Sequence, residues 1–258
     1  MDLGLTGKIA LITGGSKGIG LACAQALAAE GARIVICSRD QANLDAALAS
    51  LPNATGIAAD LTRAEAAAAL VEQVERKIGP IDILVNSAGA ARLTPPNDLT
   101  PQSWHDAMDA KYFAYIHVID PVIKAMAARG SGVIVNVIGS GGKVASTVHL
   151  AGGAANAALM LATSGLGAAY AKSGVRVVGI NPGGTETGRV KAGMEAAAKL
   201  AGISPKQARL EAIARIPMGR MAKPSEIADA VCFLASPRAS YITAVNINMD
   251  GAQSPVVV

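Results

Sequence analysis

The chain has 258 residues, of which 51% are hydrophobic and 16% are charged, a composition that can bury a large core. This length is normal for one α/β domain, so we predict a single domain over residues 1–258 rather than two. The formal net charge of +4 is modest and gives no reason to expect a nucleic-acid partner.

Three cysteines and one uncharged stretch bear on the cellular setting. Cys23, Cys37 and Cys232 are far apart and match no metal or redox spacing, so we expect buried thiols, no metal site and a reduced, cytoplasmic environment. The first hydrophobic run, residues 9–12, is too short for an export signal. Residues 144–171 contain no Lys, Arg, Asp or Glu, but their many Gly and Ala residues predict a packed helix at a subunit interface and no membrane span.

Short β-branched runs alternate with Ala-rich helical stretches along the whole chain. This alternation is typical of βαβ units, so we predict an α/β fold of the Rossmann type, a doubly wound parallel sheet with helices on both faces. The seven predicted strands are residues 9–13, 33–37, 55–58, 81–86, 132–137, 175–180 and 245–249.

Helix boundaries are marked by their own signals. Apolar periodicity predicts helices at 19–30 and 63–78, the second opened by a capping box, Thr62-Arg63-Ala64-Glu65. Thr100-Pro101 begins a long helix by its cap and first-turn proline, and Pro121 within that helix should bend it.

A glycine-rich turn follows the first predicted strand immediately. Its sequence, Thr13-Gly14-Gly15-Ser16-Lys17-Gly18-Ile19-Gly20, leads into a predicted helix. Glycines let backbone amides approach a pyrophosphate, and a helix N-terminus supplies partial positive charge for it. Tight turns also need glycine for conformational reasons alone, but the position between a strand and a helix favours a dinucleotide site.

This glycine spacing and four later motifs resemble the short-chain dehydrogenase/reductase family, and the likeness covers nearly the whole chain. The later motifs are Asp60-Leu61, Asn86-Ser87-Ala88-Gly89, the loop 181–187 and the segment 241–251. The pattern is nearest to that of the 3-ketoacyl-carrier-protein reductases. The resemblance implies a nicotinamide dinucleotide bound by Gly14, Ser16, Lys17, Gly18, Ile19, Gly20, Ser38, Arg39, Asp60, Leu61, Asn86, Ala88, Gly89, Pro182, Gly183, Thr185 and Thr187.

The end of the second strand indicates which dinucleotide is preferred. An NAD-preferring member would place an acidic residue there for the ribose hydroxyls, whereas this chain has Ser38-Arg39. Arg39 and Lys17 offer two cations to a 2′-phosphate, so we predict NADP(H) in preference to NAD(H). The alternative is that both are solvated surface charges.

The resemblance breaks down at the catalytic residues. The family reduces carbonyls with a tyrosine as proton donor, a lysine four residues later, a serine and an asparagine. Alignment on the fifth and sixth strands puts Gly152 at the tyrosine position and Asn156 at the lysine position, while the serine and asparagine positions fall on Gly139 and Lys111. No tyrosine of this chain is followed by a lysine four residues later, so the Tyr-x-x-x-Lys pair is absent under any alignment.

Three other side chains are candidates for the missing acid–base chemistry. His149 is the best single candidate, because it lies three residues before the tyrosine position and imidazole titrates near neutral pH. Ser140 adjoins the serine position, and Lys111 can extend its ammonium toward the space of the family lysine. Each has a structural alternative: a solvated loop histidine, a flexible glycine turn and a salt-bridged helix lysine. The loss of side chains at 152–153 also predicts a wider pocket.

Three functions remain open on the sequence. The first is an oxidoreductase with a changed acid, acting on a small molecule or acyl thioester; the second is a non-redox enzyme on this fold; the third is a non-catalytic NADP(H)-binding regulator or subunit. Residues 189–223 hold eight basic residues against two acidic ones where the family has its substrate lid, which would attract an acidic partner unless they are simply solvated. Self-association as a homodimer or homotetramer is expected through the 101–127 and 144–171 helices.

Overall fold

The computed structural model describes residues 2–89 and 92–256. Within these ranges seven parallel strands form one sheet in the order β3-β2-β1-β4-β5-β6-β7. The strands are β1 Ile9–Thr13, β2 Arg33–Ser38, β3 Thr55–Ala58, β4 Ile83–Asn86, β5 Gly132–Val137, β6 Val175–Pro182 and β7 Val245–Met249.

Helices connect the strands and cover both faces of the sheet. The α-helices among the described residues are α1 Gly18–Ala29, α2 Gln41–Leu48, α3 Ala64–Lys77, α4 Pro101–Ala107, α5 Ala114–Arg129, α6 Leu150–Tyr170, α7 Gly188–Ala201, α8 Pro205–Ala214 and α9 Pro224–Ala235. Side chains of β1 alternate between the two faces: Ala10 and Ile12 pack with α1 and α9, whereas Ile9 and Leu11 pack with α3, α5 and α6.

The predicted doubly wound sheet is confirmed, strand by strand, with small differences at the ends. Four strands have the predicted bounds, β2 ends one residue later than predicted, β4 begins two residues later, and β6 continues to Pro182. The extension of β6 arises because Pro182 lies opposite Met249 of β7 in the parallel register. The three cysteines are free and buried as predicted, and burial raises the pKa of the Cys37 thiol to about 12.

The predicted capping box before α3 is wrong. Arg63 is the N-cap, and its side chain makes no capping hydrogen bond. The Thr62 hydroxyl instead donates to the Asp60 carboxylate at 2.9 Å, and the Thr62 amide donates to the same oxygen at 3.2 Å. The carboxylate, a stronger acceptor, therefore holds the threonine outside the helix.

The long helix after Thr100 begins as predicted. The Thr100 hydroxyl accepts from the Ser103 amide, and Pro101 occupies the first turn. The helix continues through Pro121, and its departure from α geometry is a π-helical turn at Met108–Phe113, between α4 and α5. Among the described residues, no helix has the length and apolar character needed to cross a bilayer.

Candidate functional site

A cavity of about 910 Å³ lies along the carboxyl ends of the strands, at the point where strand order reverses between β1 and β4. Ligands of open parallel sheets bind at this switch point. The cavity is lined by fifteen of the seventeen residues predicted to bind the dinucleotide, namely Gly14, Ser16, Lys17, Gly18, Ile19, Ser38, Arg39, Asp60, Leu61, Ala88, Gly89, Pro182, Gly183, Thr185 and Thr187.

The glycine turn lets two backbone segments approach closely. Gly14 has a φ of +65°, and a Cβ placed on it would lie 2.8 Å from the backbone nitrogen of Ala88. Gly20 does not line the cavity; a Cβ there would lie against the carbonyl of Gly14, closer than any real contact. Gly20 therefore allows α1 to pack on the turn, whereas Gly14 brings the β1 and β4 loops together at the cavity wall.

The first turn of α1 lies at the cavity wall, which Gly18 and Ile19 line. No side chain caps this helix at Lys17, and no acidic residue lies in its first turn. The amides at the start of a helix have no partner within the helix, so they need acceptors from elsewhere. A pyrophosphate would satisfy them and would interact favourably with the helix dipole.

Two cations line the cavity near the end of β2. Ser38 ends this strand and Arg39 follows it, and both line the cavity with Lys17 and Asn43. The glycine turn that contains Lys17 contacts the strand, because the Gly15 amide donates to the Cys37 carbonyl at 3.3 Å. An arginine and a lysine at the same end of a cavity suit a phosphate, because each can donate charge-assisted hydrogen bonds to it.

The wall after β3 is built by Asp60, Leu61 and Thr62. The two hydrogen bonds from Thr62 fix the Asp60 carboxylate. The Leu61 carbonyl lies 3.0 Å from His117 Nδ1 of α5. These contacts hold the loop in place at the cavity edge.

The loop after β6 forms the opposite end of the cavity. The amide of Gly183 donates to the carbonyl of Met249 at 3.0 Å, and a Cβ on Gly183 would lie 2.8 Å from the Asp250 Cα. Buried Thr185 pairs with Ala222 in an isolated parallel bridge. The Thr187 hydroxyl accepts from the Val190 amide at 3.3 Å, so this residue both lines the cavity and caps α7.

Asn86 does not line the cavity. It is fully buried, where it accepts a hydrogen bond from Thr13 at 3.2 Å and donates to Asn136 at 3.0 Å. Asn136 in turn donates to Thr163 of α6 at 2.9 Å. Asn86 therefore contributes to a polar chain that ties β1, β4, β5 and α6 together beneath the site.

Lys111 is the one catalytic candidate that the structure places on the cavity wall. It lies in the π-helical turn, is 8% exposed, and donates to the Val137 carbonyl at 3.1 Å and to the Tyr115 hydroxyl at 3.0 Å. The Tyr115 hydroxyl also donates to the Val137 carbonyl at 2.6 Å. Burial, with a smaller contribution from the Arg189 charge, lowers the pKa of Lys111 to about 7. The salt-bridged helix lysine of the alternative is not what the structure shows.

His149 and Ser140 do not line this cavity within the described part of the chain. His149 precedes α6, its Nδ1 is buried without a hydrogen-bond partner among the described residues, and burial followed by the Lys111 charge lowers its pKa. Ser140 begins a 3-10 turn, Ser140–Gly142, that packs against α6. The structure thus brings Lys111, but neither of the other two candidates, to the cavity.

The residues at the family tyrosine and lysine positions, Gly152 and Asn156, are buried on α6 and do not line the cavity where the structure is described. At the neighbouring Gly153 the backbone is close: a Cβ on Gly153 would lie 2.8 Å from the Gly141 carbonyl oxygen, and one on Gly142 would lie 2.7 Å from the Ala157 amide. The expected widening of the pocket is therefore absent at Gly153, where the glycine turn and the helix are in contact.

The basic segment 189–223 contains α7 and α8. Two of its arginines are paired, Arg209 with Glu186 and Arg220 with Glu226. Arg189 lines the cavity and donates to the Gly89 carbonyl at 3.2 Å. The exposed cations of the segment also include Lys191, Lys206, Arg215 and Lys223, while the side chain of Lys199 lies outside the described residues.

Sequence reasoning missed two residues of this site. Tyr115 packs in the core, and its hydroxyl also bonds to Lys111. The four-residue spacing of Lys111 and Tyr115 on one helix face was a signal for this contact. Arg189 belonged to the basic segment, and nothing in its local sequence indicated that it faces Gly89.

The comparisons with known proteins agree with this geometry. Residues 8–198 match the family model described as short chain dehydrogenase. The 3-oxoacyl-(acyl-carrier-protein) reductase of Vibrio cholerae is 33% identical over 254 residues, covering 96% of this chain and 98% of the relative. The crystal structure of L-sorbose reductase from Gluconobacter frateurii, complexed with NADPH and L-sorbose, matches with a TM-score of 0.94 and 30% identity over 100% of both chains. NAD+-bound xylitol dehydrogenase matches with a TM-score of 0.90 and 29% identity over 95% of this chain and 98% of that chain.

Proposed function

The chain belongs to the short-chain dehydrogenase/reductase family, and from that premise we propose that it binds NADP(H) and reduces a carbonyl group of a small molecule or acyl thioester. One observation carries the proposal: a single cavity is lined by Arg39 and Lys17, beside the end of β2, and by Lys111, whose buried amine contacts the end of β5. The first pair suits a 2′-phosphate, and the amine suits proton transfer to oxygen.

The residues present fit a dinucleotide. The uncapped first turn of α1 lines the cavity where a pyrophosphate would bind, and the Gly14–Ala88 contact leaves no room for side chains at that wall. The wall formed by Asp60 and Leu61 suits an adenine, and the loop with Thr185 and Thr187 suits a nicotinamide. When bound, NADPH supplies a hydride to the carbonyl carbon, and the protein has to orient the substrate and supply a proton.

Cofactor preference rests on Arg39 and Lys17, because the similar structures include one with NADPH and one with NAD+. Fluorescence titration of the purified protein with NADPH and NADH tests the preference. Tighter binding of NADH than of NADPH would show that the two cations do not recognise a 2′-phosphate.

Acyl thioesters are included in the substrate class because of the exposed cations on α7 and α8. A thioester carried on a phosphopantetheine or coenzyme A is acidic, and positive charge near the cavity would raise its local concentration. The affinity for a 3-ketoacyl thioester should fall as ionic strength rises; an affinity independent of salt would show that these cations are merely solvated.

Self-association is part of the proposal. Leu161 of α6 is 77% exposed, and Phe113 and Trp104 near α4 and α5 are each 40% exposed, so these helices present apolar surface. We expect a homodimer or homotetramer, and light scattering after gel filtration measures its mass.

Single-turnover oxidation of NADPH, followed by absorbance against ketones, aldehydes and 3-ketoacyl thioesters, tests the reaction. The wild-type protein, a His149→Ala variant and a Gly152→Tyr/Asn156→Lys variant are run together. Turnover by wild type and by His149→Ala supports the proposal with an acid other than His149. Product formed without a change in NADPH absorbance identifies a non-redox enzyme, and turnover by only the Gly152→Tyr/Asn156→Lys variant identifies a cofactor-binding regulator.

A further inference from the structure

The group that replaces the missing tyrosine is suggested by a hydrogen-bonded triangle at the cavity wall. Its corners are the Lys111 Nζ, the Tyr115 hydroxyl and the Val137 carbonyl, joined by hydrogen bonds of 3.0, 3.1 and 2.6 Å. All three groups are buried, and Lys111 lines the cavity. The Lys111 Nζ also lies 4.7 Å from the centre of the Tyr115 ring.

The hydrogen bonds of Lys111 leave one position on its side-chain nitrogen available for proton transfer. A lysine nitrogen has three outward positions besides its bond to carbon, and two of them are used as donors to Tyr115 and Val137. The Tyr115 hydroxyl gives its own proton to Val137, so it can only accept from Lys111. The third position carries a proton when the lysine is charged and a lone pair when it is neutral.

We propose that Lys111 is the proton donor of the reaction and that Tyr115 is its positioning residue. These two roles rest on the proposed function, the reduction of a carbonyl group. The roles of the family pair are then exchanged. In place of a tyrosine that donates and a lysine that assists from α6, a lysine donates and a tyrosine assists from the helix that contains the π-helical turn. On α6, Gly152 and Asn156 stand at the family tyrosine and lysine positions, and neither residue has a titratable side chain.

The proton comes from Lys111 and is replaced from solvent. As the carbonyl carbon becomes tetrahedral, its oxygen takes one proton from the Lys111 ammonium, which leaves an alcohol and a neutral amine. The amine then regains its proton from solvent. A donor is most effective when its pKa is near the working pH, and burial has brought the pKa of Lys111 into that range.

The surroundings of Lys111 set the expected pH behaviour. The titratable groups that face it are Tyr115 on its own helix, Arg189 from α7 and His149 before α6. Helix α6, which packs against the π-helical turn, contributes no Lys, Arg, Asp or Glu. Arg189 favours the neutral amine, whereas the acceptors Tyr115 and Val137 favour the ammonium.

The test is the pH dependence of kcat/KM for the best carbonyl substrate in wild type, Lys111→Met, Tyr115→Phe and the control Lys124→Met. Lys124 lies exposed on α5 in an ion pair with Asp120, so its removal leaves the site untouched. We expect wild-type kcat/KM to fall tenfold per pH unit above about pH 7. Lys111→Met should lose at least a hundredfold of the rate, typical of a lost general acid.

Tyr115→Phe separates positioning from packing, because it keeps the ring and removes only the hydroxyl. The Lys111 ammonium loses one acceptor, so the fall in kcat/KM at high pH should begin about one pH unit lower than in wild type. NADPH affinity should stay within twofold of wild type. If kcat/KM of Tyr115→Phe falls at the same pH as that of wild type, the role of Tyr115 is overturned. A Lys111→Met variant with more than a tenth of wild-type activity overturns the role of Lys111.

A second measurement is independent of turnover. NMR titration of protein carrying ¹³C-labelled lysine, with the Lys111 signal assigned by its absence in Lys111→Met, should give a pKa near 7 that falls in Tyr115→Phe. If no carbonyl is reduced but these titrations hold, the proposed function fails while the triangle stands. A Lys111 that titrates at its usual pKa overturns the triangle itself.

Discussion

Replacing Lys111 by methionine should stabilise the protein, and by an amount that depends on pH. The buried lysine has a pKa of about 7 in the folded chain against its usual 10.5, so its charged form is disfavoured by folding. At about 1.4 kcal/mol per pKa unit, this difference corresponds to a cost of roughly 5 kcal/mol when the lysine must be protonated. Methionine fills a similar volume without a charge, and comparable replacements of buried ions gain about 1–4 kcal/mol.

The direction in which stability changes with pH follows from the number of protons that the folded and unfolded chains bind. The pKa is lower in the folded state, so above pH 7 the unfolded chain binds more protons than the folded chain, and wild-type stability rises with pH until about 10.5. The full cost is present below pH 7 and is relieved as pH increases. The advantage of Lys111→Met should therefore shrink by roughly 3 kcal/mol between pH 6 and pH 9.

Urea unfolding of wild type and Lys111→Met at pH 6, 7, 8 and 9 measures this difference directly. Lys124→Met serves as the control, because Lys124 is exposed and its removal should give a small change that is flat with pH. An advantage of Lys111→Met that does not vary over this range would show that Lys111 titrates normally in the folded state. Loss of stability at pH 6 would contradict the calculation entirely.

Three further predictions concern the cofactor, the fold and the assembly. Arg39→Ala should weaken NADPH binding about tenfold to a hundredfold in a fluorescence titration and leave NADH binding unchanged, since only NADPH has the 2′-phosphate. Gly14→Ala, at a φ of +65° and with its Cβ 2.8 Å from Ala88, should lower the free energy of unfolding by about 1–3 kcal/mol, whereas Gly193→Ala, with open space around it, should be neutral or slightly stabilising in the same urea experiment. Leu161→Glu should lower the mass measured by light scattering to that of a smaller assembly, because it places a charge on a surface that is 77% exposed in the single chain; an unchanged mass would place the interface elsewhere.

The sequence by itself determined the sheet and most of the cofactor cavity. Strand and helix identity depend on local periodicity, so runs such as Ile9–Thr13 and Gly132–Val137 were predicted with their observed bounds. The glycine turn and the loop after β6 follow strands directly. Because parallel strands all end at one edge of the sheet, those loops had to meet there. The absence of Tyr-x-x-x-Lys was likewise a property of the sequence alone.

Only the tertiary structure decided which candidate reaches the cavity. The sequence favoured His149 over Lys111 as the replacement acid, but burial and hydrogen bonding depend on groups far along the chain. The Val137 carbonyl is 26 residues from Lys111, and Arg189 is 78 residues from it. A lysine whose acceptors are a distant carbonyl and a tyrosine one turn away has the local sequence of an ordinary surface lysine. Its perturbed pKa exists only because folding removes water and brings those groups together.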